Sequence, residues 1–206
     1  LKRLGYSNIS CEYNKITNLK NGQKLSINLK AKLKNDLTVI VYNFVDMLSH
    51  SKTEMEIIKE LASNDKGYRS LTLSWFKNSP LFEIIKKGYE YGFKLVVTTD
   101  HGTINVKNPS KIIGNKDTSQ NLRYKTGRSL TYNNKEIISF NNPNDILLPS
   151  ISINSLYVFA KENTYLVYPN NYNYYVNFFR DTYQHGGVSL EEIIIPYVVL
   201  MPKIKK

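Results

Sequence analysis

Cysteine is almost missing. Cys11 is the one cysteine among 206 residues, which excludes an internal disulfide and any metal site built from several thiolates. A reducing, cytoplasmic setting is the expectation that follows. No apolar run approaches the roughly 20 residues that a membrane-spanning helix needs. The opening Leu1–Gly5 lacks signal-peptide character, and the first residue is Leu rather than Met, so a piece of a longer chain is expected. Histidine is scarce too: imidazole chemistry has only His50, His101 and His185. Acidic residues fall short of basic ones, 17 against 28, leaving a net charge of +11. That balance favours anionic partners such as nucleotides, nucleic acid or phosphorylated substrates. The bases are scattered and end in Lys203, Lys205 and Lys206, so a solvated lysine surface explains the charge as well as a dedicated anion site does.

What is present suits one sizeable folded domain. Hydrophobic residues make up 41 %, and the length allows one sizeable core. LSINLKAKL, residues 25–33, alternates like an edge strand. LTVIVYNFV, residues 37–45, is β-branched and apolar and reads as a strand. SKTEMEIIKELA, residues 51–62, reads as a helix, with Ser51 and Glu54 at capping-box spacing. A second helix is expected around 69–77, and a third opens at Ser79-Pro80 and ends before Gly92. Leu95, Val96 and Val97 read as a buried strand. Strand, helices and strand in succession argue for parallel strands with helical crossovers, the α/β class.

Ligands in such sheets bind beyond the carboxyl ends of strands. Asp46 and Asp100 each stand at such an end. Residues 105–150 lack periodicity and read as an insertion. Two strands, at 155–160 and 164–168, read as a hairpin, and a final strand covers 193–201 with a break at Pro196.

Every histidine has company. Asp46 and His50 are four apart in VDMLSHS, a spacing that puts both on one helical face. Asp100 and His101 are adjacent in TTDHG, and His185 precedes two glycines. These five residues offer nitrogen and oxygen ligands without sulfur, which suits zinc, or manganese if carboxylates dominate. Arg123, Lys125 and Arg128 form a basic run that is a candidate for contacts to substrate phosphate. Extended backbone would put Arg123 and Lys125 on one face, and arginine grips phosphate with two parallel hydrogen bonds. A solvated loop is the competing reading.

The order of these motifs carries a resemblance. Asp-x-x-x-His at one strand end, Asp-His-Gly at a later one and His-Gly-Gly-x-Ser-x-Glu-Glu before a terminal apolar strand resemble the alkaline phosphatase superfamily. VDMLSHSKTEME, TTDHGTINVKNPSKIIGNKDTSQNLRYKTG and YQHGGVSLEEIIIPYV are similar, more closely, to the PglZ domain of PorX-type response regulators. The similarity covers at least residues 37–200.

The resemblance implies an alkaline-phosphatase-like α/β fold with a mostly parallel central sheet flanked by helices. Residues 1–206 would be the carboxyl-terminal part of one such domain, truncated at the amino end and carrying the insertion at about 105–150. It implies up to two zinc ions. Asp46, His50 and His185 would hold one, and Asp100 and His101 the other, together with an earlier Asp and a Ser or Thr nucleophile. Asp36 and Thr38 lie too close to the next strand for those roles, and Thr17 has no Asp before it. The nucleophile is therefore expected upstream of this chain. Two metals about 4 Å apart would activate the attacking hydroxyl and neutralise the phosphoryl oxygens.

The implied activity of the intact parent is zinc-dependent phosphoester hydrolysis, expected on nucleotide or oligonucleotide diesters. The implied context is the output domain of a two-component regulator linked to type IX secretion and gliding, with a sensor kinase reached through a receiver domain. A metal-stabilised interaction or nucleotide-sensing module with little turnover is the alternative. A second copy of the chain is a candidate partner with the oligomeric state left open, and membrane insertion is not expected.

Overall fold

The computed structural model describes residues 5–6, 8–62, 64–115, 118–150 and 155–202; the side chains of residues 50 and 52–54 lie outside that set. So does the basic tail of Lys203, Lys205 and Lys206. The chain divides into two compact units, Leu1–Val97 with Tyr197–Lys206, and Thr98–Pro196. Among the described residues, no helix is long and apolar enough to cross a membrane.

The first unit opens with β1 (Cys11–Ile16), α1 (Leu19–Lys32) and β2 (Leu37–Tyr42). The two strands pair in parallel, from Cys11 opposite Leu37 to Ile16 opposite Tyr42. The expected strand at 25–33 is corrected here, because those residues belong to α1 and its end. Leu25, Ile27 and Leu29 fit a period of two, but Gly22, Leu25, Ser26 and Leu29 are the buried set, at helical spacing, and Ile27 is 78 % exposed. Asn18 fixes the start by accepting a hydrogen bond from the Asn21 amide at 2.9 Å. Ile16, Leu25, Leu29 and Ile84 then form one core cluster.

Four helices follow: α2 (Phe44–Glu54), α3 (Glu56–Leu61), α4 (Asp65–Lys77) and α5 (Pro80–Glu90). The expected strand therefore stops at Tyr42. Phe44 is already helical and stacks on Trp75, with centroids 3.8 Å apart. Ser51 sits inside α2 and caps nothing; the chain breaks instead at Met55, whose backbone is extended. The reading at Ser79-Pro80 matches the structure: Ser79 Oγ accepts from the Phe82 amide, and Pro80 opens α5.

Strand β3 (Leu95–Thr98) follows, and among the described residues it pairs only with the last strand of the chain, β13 (Tyr197–Leu200). That corrects the buried reading of 95–97. A two-stranded pair leaves its faces open, and Val96 and Val97 are 46 % and 39 % exposed.

The second unit holds β4 (Ile104–Asn105), β5 (Asn108–Lys111), β6 (Ile113–Gly114), β7 (Tyr124–Gly127), β8 (Leu130–Thr131), β9 (Ile137–Phe140), β10 (Leu156–Ala160), β11 (Thr164–Val167), α6 (Tyr172–Phe179), β12 (Tyr183–Gln184) and α7 (Leu190–Ile193). The stretch read as an insertion builds much of this unit. Val106, Ile112 and Ile137 from it are buried in the two core clusters.

Strand β11 lies between those clusters. Tyr165 and Val167 face one, and Leu166 faces the other, as alternation in a strand buried on both sides requires. The expected hairpin of 155–160 with 164–168 is corrected as well. β10 pairs antiparallel with β7 and β9, whereas β11 pairs in parallel with β5. The architecture is thus mixed α/β, with small sheets among the described residues.

Candidate functional site

The site in the second unit is assembled by a two-residue strand pair. β12 runs antiparallel to β4, with Tyr183 opposite Asn105 and Gln184 opposite Ile104. In antiparallel pairing, the residues after Gln184 run beside the residues before Ile104. That register brings His185 to the TTDHG turn. The imidazoles of His101 and His185 stack with centroids 3.9 Å apart and planes 13° from parallel. Two motif histidines distant in sequence are thereby neighbours.

The His101 ring is oriented by its own turn. Its Nδ1 lies 3.0 Å from the Gly102 carbonyl oxygen. A carbonyl only accepts, so Nδ1 is the donor in this contact, and in the neutral ring Nε2 is the nitrogen that carries the lone pair. Nε2 stands 3.7 Å from Asp100 Oδ1. Two ligand atoms each about 2.0–2.1 Å from one tetrahedral zinc are roughly 3.4 Å apart. Asp100 and His101 therefore present a lone pair and a carboxylate oxygen at close to ligand spacing. Thr99 Oγ1 donates to the His101 carbonyl at 3.1 Å, and Thr98 Oγ1 donates to the Pro196 carbonyl at 2.8 Å.

Glu192 braces both histidine-bearing turns. Its carboxylate accepts from the Gly187 amide at 2.8 Å, two residues after His185, and from the Ser189 amide and hydroxyl. Its main-chain carbonyl accepts from the Gly102 amide at 2.8 Å, one residue after His101. Ser189 and Glu192 form the capping box of α7.

Arg123 completes the brace, with Nε and Nη2 donating to the two carboxylate oxygens of Glu192. The guanidinium also donates to the carbonyls of Thr164, Ala160 and Glu162. Burial alone would raise the Glu192 carboxyl; hydrogen bonds and charge from Arg123, with the Gly187 amide and Ser189, outweigh it and hold the group below its ordinary value.

Glycine is required at two places here. A Cβ on Gly102 would run into the Glu191 carbonyl oxygen, and one on Gly187 would lie 2.7 Å from Glu192 Oε2 and 2.8 Å from Arg123 Nη2.

The basic run is split by burial. Arg123 is buried and committed to Glu192 and main-chain carbonyls. Lys125 is 1 % exposed, with Nζ 4.3 Å from the centre of the Tyr168 ring. Burial pulls its ammonium down to about 8. Arg128 is exposed.

In the first unit, Asp46 occupies the first turn of α2, and Asn43 Nδ2 lies 3.4 Å from its Oδ2. His50 is one turn further along the same helix; its side chain lies outside the described residues. Sequence reasoning missed Glu192 and the structural work of Arg123. The signal was present as Ser-x-x-Glu in HGGVSLEE, a capping-box spacing.

A family model described as the BREX system PglZ alkaline phosphatase-like domain matches residues 1–200. Among curated proteins, none matches the chain.

Proposed function

The chain belongs to the PglZ alkaline-phosphatase-like family, and from that premise we propose that it carries the metal-holding part of a phosphoesterase. The observation that carries the reading is the stacking of His101 on His185, with Asp100 beside the free nitrogen of His101. Asp46, His50, Asp100, His101 and His185 are the proposed ligands, and zinc is the proposed metal. The donor set fits: carboxylate and imidazole without thiolate are ligands of catalytic rather than structural zinc. Bound zinc would supply charge neutralisation at the phosphoryl oxygens and an activated attacking oxygen.

The residues of the chain have separate tasks in this reading. His101 and His185 present imidazole nitrogens, with the His101 proton held at Nδ1 by the Gly102 carbonyl. Asp100 adds negative charge at the same turn. Glu192 and Arg123 keep the two turns in register, which matters because ligands displaced by about 1 Å no longer share one ion. Gly102 and Gly187 let the braced backbones close.

The proposed substrate is a nucleotide or oligonucleotide diester, supported by the basic balance of the chain, with exposed Arg128 as a proposed phosphate contact. The two-component setting rests on the sequence resemblance to PorX-type regulators, and a receiver domain encoded ahead of this chain would bear it out.

The test joins metal content to turnover. Elemental analysis of the tag-free chain is expected to find zinc, and His185→Ala to hold much less. With metal loaded, hydrolysis of bis(p-nitrophenyl) phosphate faster than of p-nitrophenyl phosphate would support a diesterase, and the reverse order a monoesterase. Full zinc with no hydrolysis of either would replace catalysis by the interaction-module reading.

A further inference from the structure

The first unit has a groove of about 340 Å³ that the phosphoesterase reading does not use. One wall is Tyr13–Ile16 of β1, four consecutive residues. The other is a stripe of α1 that includes Asn21, Lys24, Asn28 and Lys32, spaced three or four apart on one helix face. No residue of β2 lines it. Four consecutive residues of β1 with none of its neighbour β2 put the groove along an edge of the strand. The edge is the one away from β2, and among the described residues β1 has no other strand partner.

An open edge offers unpaired backbone donors and acceptors to an added strand. The walls state what that strand would carry. Lys15, Lys24 and Lys32 line the groove, and no carboxylate does. Lys32 is already bound to Glu12 at 2.7 Å. Among the described residues, neither Lys15 nor Lys24 has a carboxylate within ion-pair distance, so these two supply the uncompensated charge. Asn14 lies in the same wall with its side-chain amide turned to the Glu12 carboxylate, so the open strand edge and the two lysines carry the recognition.

We propose that this groove binds an acidic peptide segment in extended form, added as a third strand beside β1. Main-chain hydrogen bonds to the open edge supply affinity, and carboxylates meeting Lys15 and Lys24 supply selectivity. Nucleic acid would satisfy the lysines equally but would make no use of an open strand edge, so the peptide is the better match.

The test uses the full chain and fluorescence anisotropy. The probe is a labelled peptide of about eight residues alternating valine and glutamate, long enough to cover the edge. Binding is expected, and Lys15→Glu with Lys24→Glu together should weaken it about tenfold or more. A second arm leaves the protein untouched: N-methylation of alternate peptide amides should abolish binding on one register and spare it on the other. Equal binding of a valine–lysine peptide, indifference to methylation on both registers, or no binding at all would overturn the proposal. So would binding of an oligothymidylate that is equally sensitive to the lysine changes, which would assign the groove to nucleic acid.

Discussion

Arg123 and Glu192 meet side-on within the second unit, with Nε 2.9 Å from Oε1 and Nη2 2.8 Å from Oε2, and neither side chain is more than 2 % exposed. A buried pair of this kind is expensive to break and inexpensive to replace whole. Glu192→Ala should lower stability by about 3–5 kcal/mol, because it strands a buried guanidinium and frees the Gly187 and Ser189 donors. Arg123→Met with Glu192→Leu should cost less than the two single changes added together. Urea unfolding of the four proteins measures the coupling; additive costs would show that the pair does not act as one brace. The Glu192 carboxyl is held low, so its contribution is present above the ordinary carboxylate value and disappears as pH falls through the folded-state value. Glu192→Gln should therefore lose less stability on acidification than the parent.

Lys125 makes the opposite pH prediction. Its folded value of about 8 lies below the ordinary lysine value of 10.5. The unfolded chain thus holds the proton more tightly between those values, and stability from this group rises with pH across that window. Below about pH 8 the cost of the buried ammonium is fully present. Lys125→Met should melt higher than the parent at pH 7, by a free energy on the order of 2 kcal/mol. The gap should shrink toward pH 10. Melting curves for both proteins across that range check it, and a constant gap would assign the effect to packing against Tyr168 rather than to charge.

Two glycines are tight by construction. Gly102→Ala must push the Glu191 carbonyl away, and that displacement opens the amide contact from Gly102 to Glu192. Gly187→Ala must displace the Arg123–Glu192 contact. Both changes should destabilise the fold by about 1–3 kcal/mol and reduce zinc retention. Retention of zinc at the parent level by both folded variants would argue that the turns tolerate movement.

Asp100 allows a cleaner separation of metal from fold. Its side chain is 89 % exposed, so Asp100→Ala removes little packing. The variant should melt within about 0.5 kcal/mol of the metal-free parent, while zinc content drops. Full zinc in Asp100→Ala would remove this residue from the ligand set.

Much of the local structure was readable from the residues themselves. Ser79-Pro80 announced a helix start because the hydroxyl and the ring act within one turn of chain. Asp100 lies two residues past β3, where the apolar β-branched run stops at polar residues, whereas Asp46 lies in the first turn of α2, four residues beyond the end of β2 at Tyr42.

Misreadings arose where two local signals competed. Leu25, Ile27 and Leu29 fit a strand until the Asn18 cap and the burial of Leu25 and Leu29 but not Ile27 chose the helix. Ser51 and Glu54 had capping-box spacing, yet α2 had already begun at Phe44, whose ring is held by Trp75.

The motifs alone determined the family and nominated His101 and His185. Only the tertiary structure decided that these two rings touch, since that depends on the register of β12 against β4. It alone paired β11 with β5 instead of β10, and buried Val106, Ile112 and Ile137 of the stretch at 105–150 in core clusters. The same is true of Arg123. As a sequence symbol it was a base available to phosphate. Folded, it is fully buried against Glu192, because a guanidinium withdrawn from water needs a carboxylate and carbonyls around it, and their arrival from distant segments is long-range information that no local pattern carries.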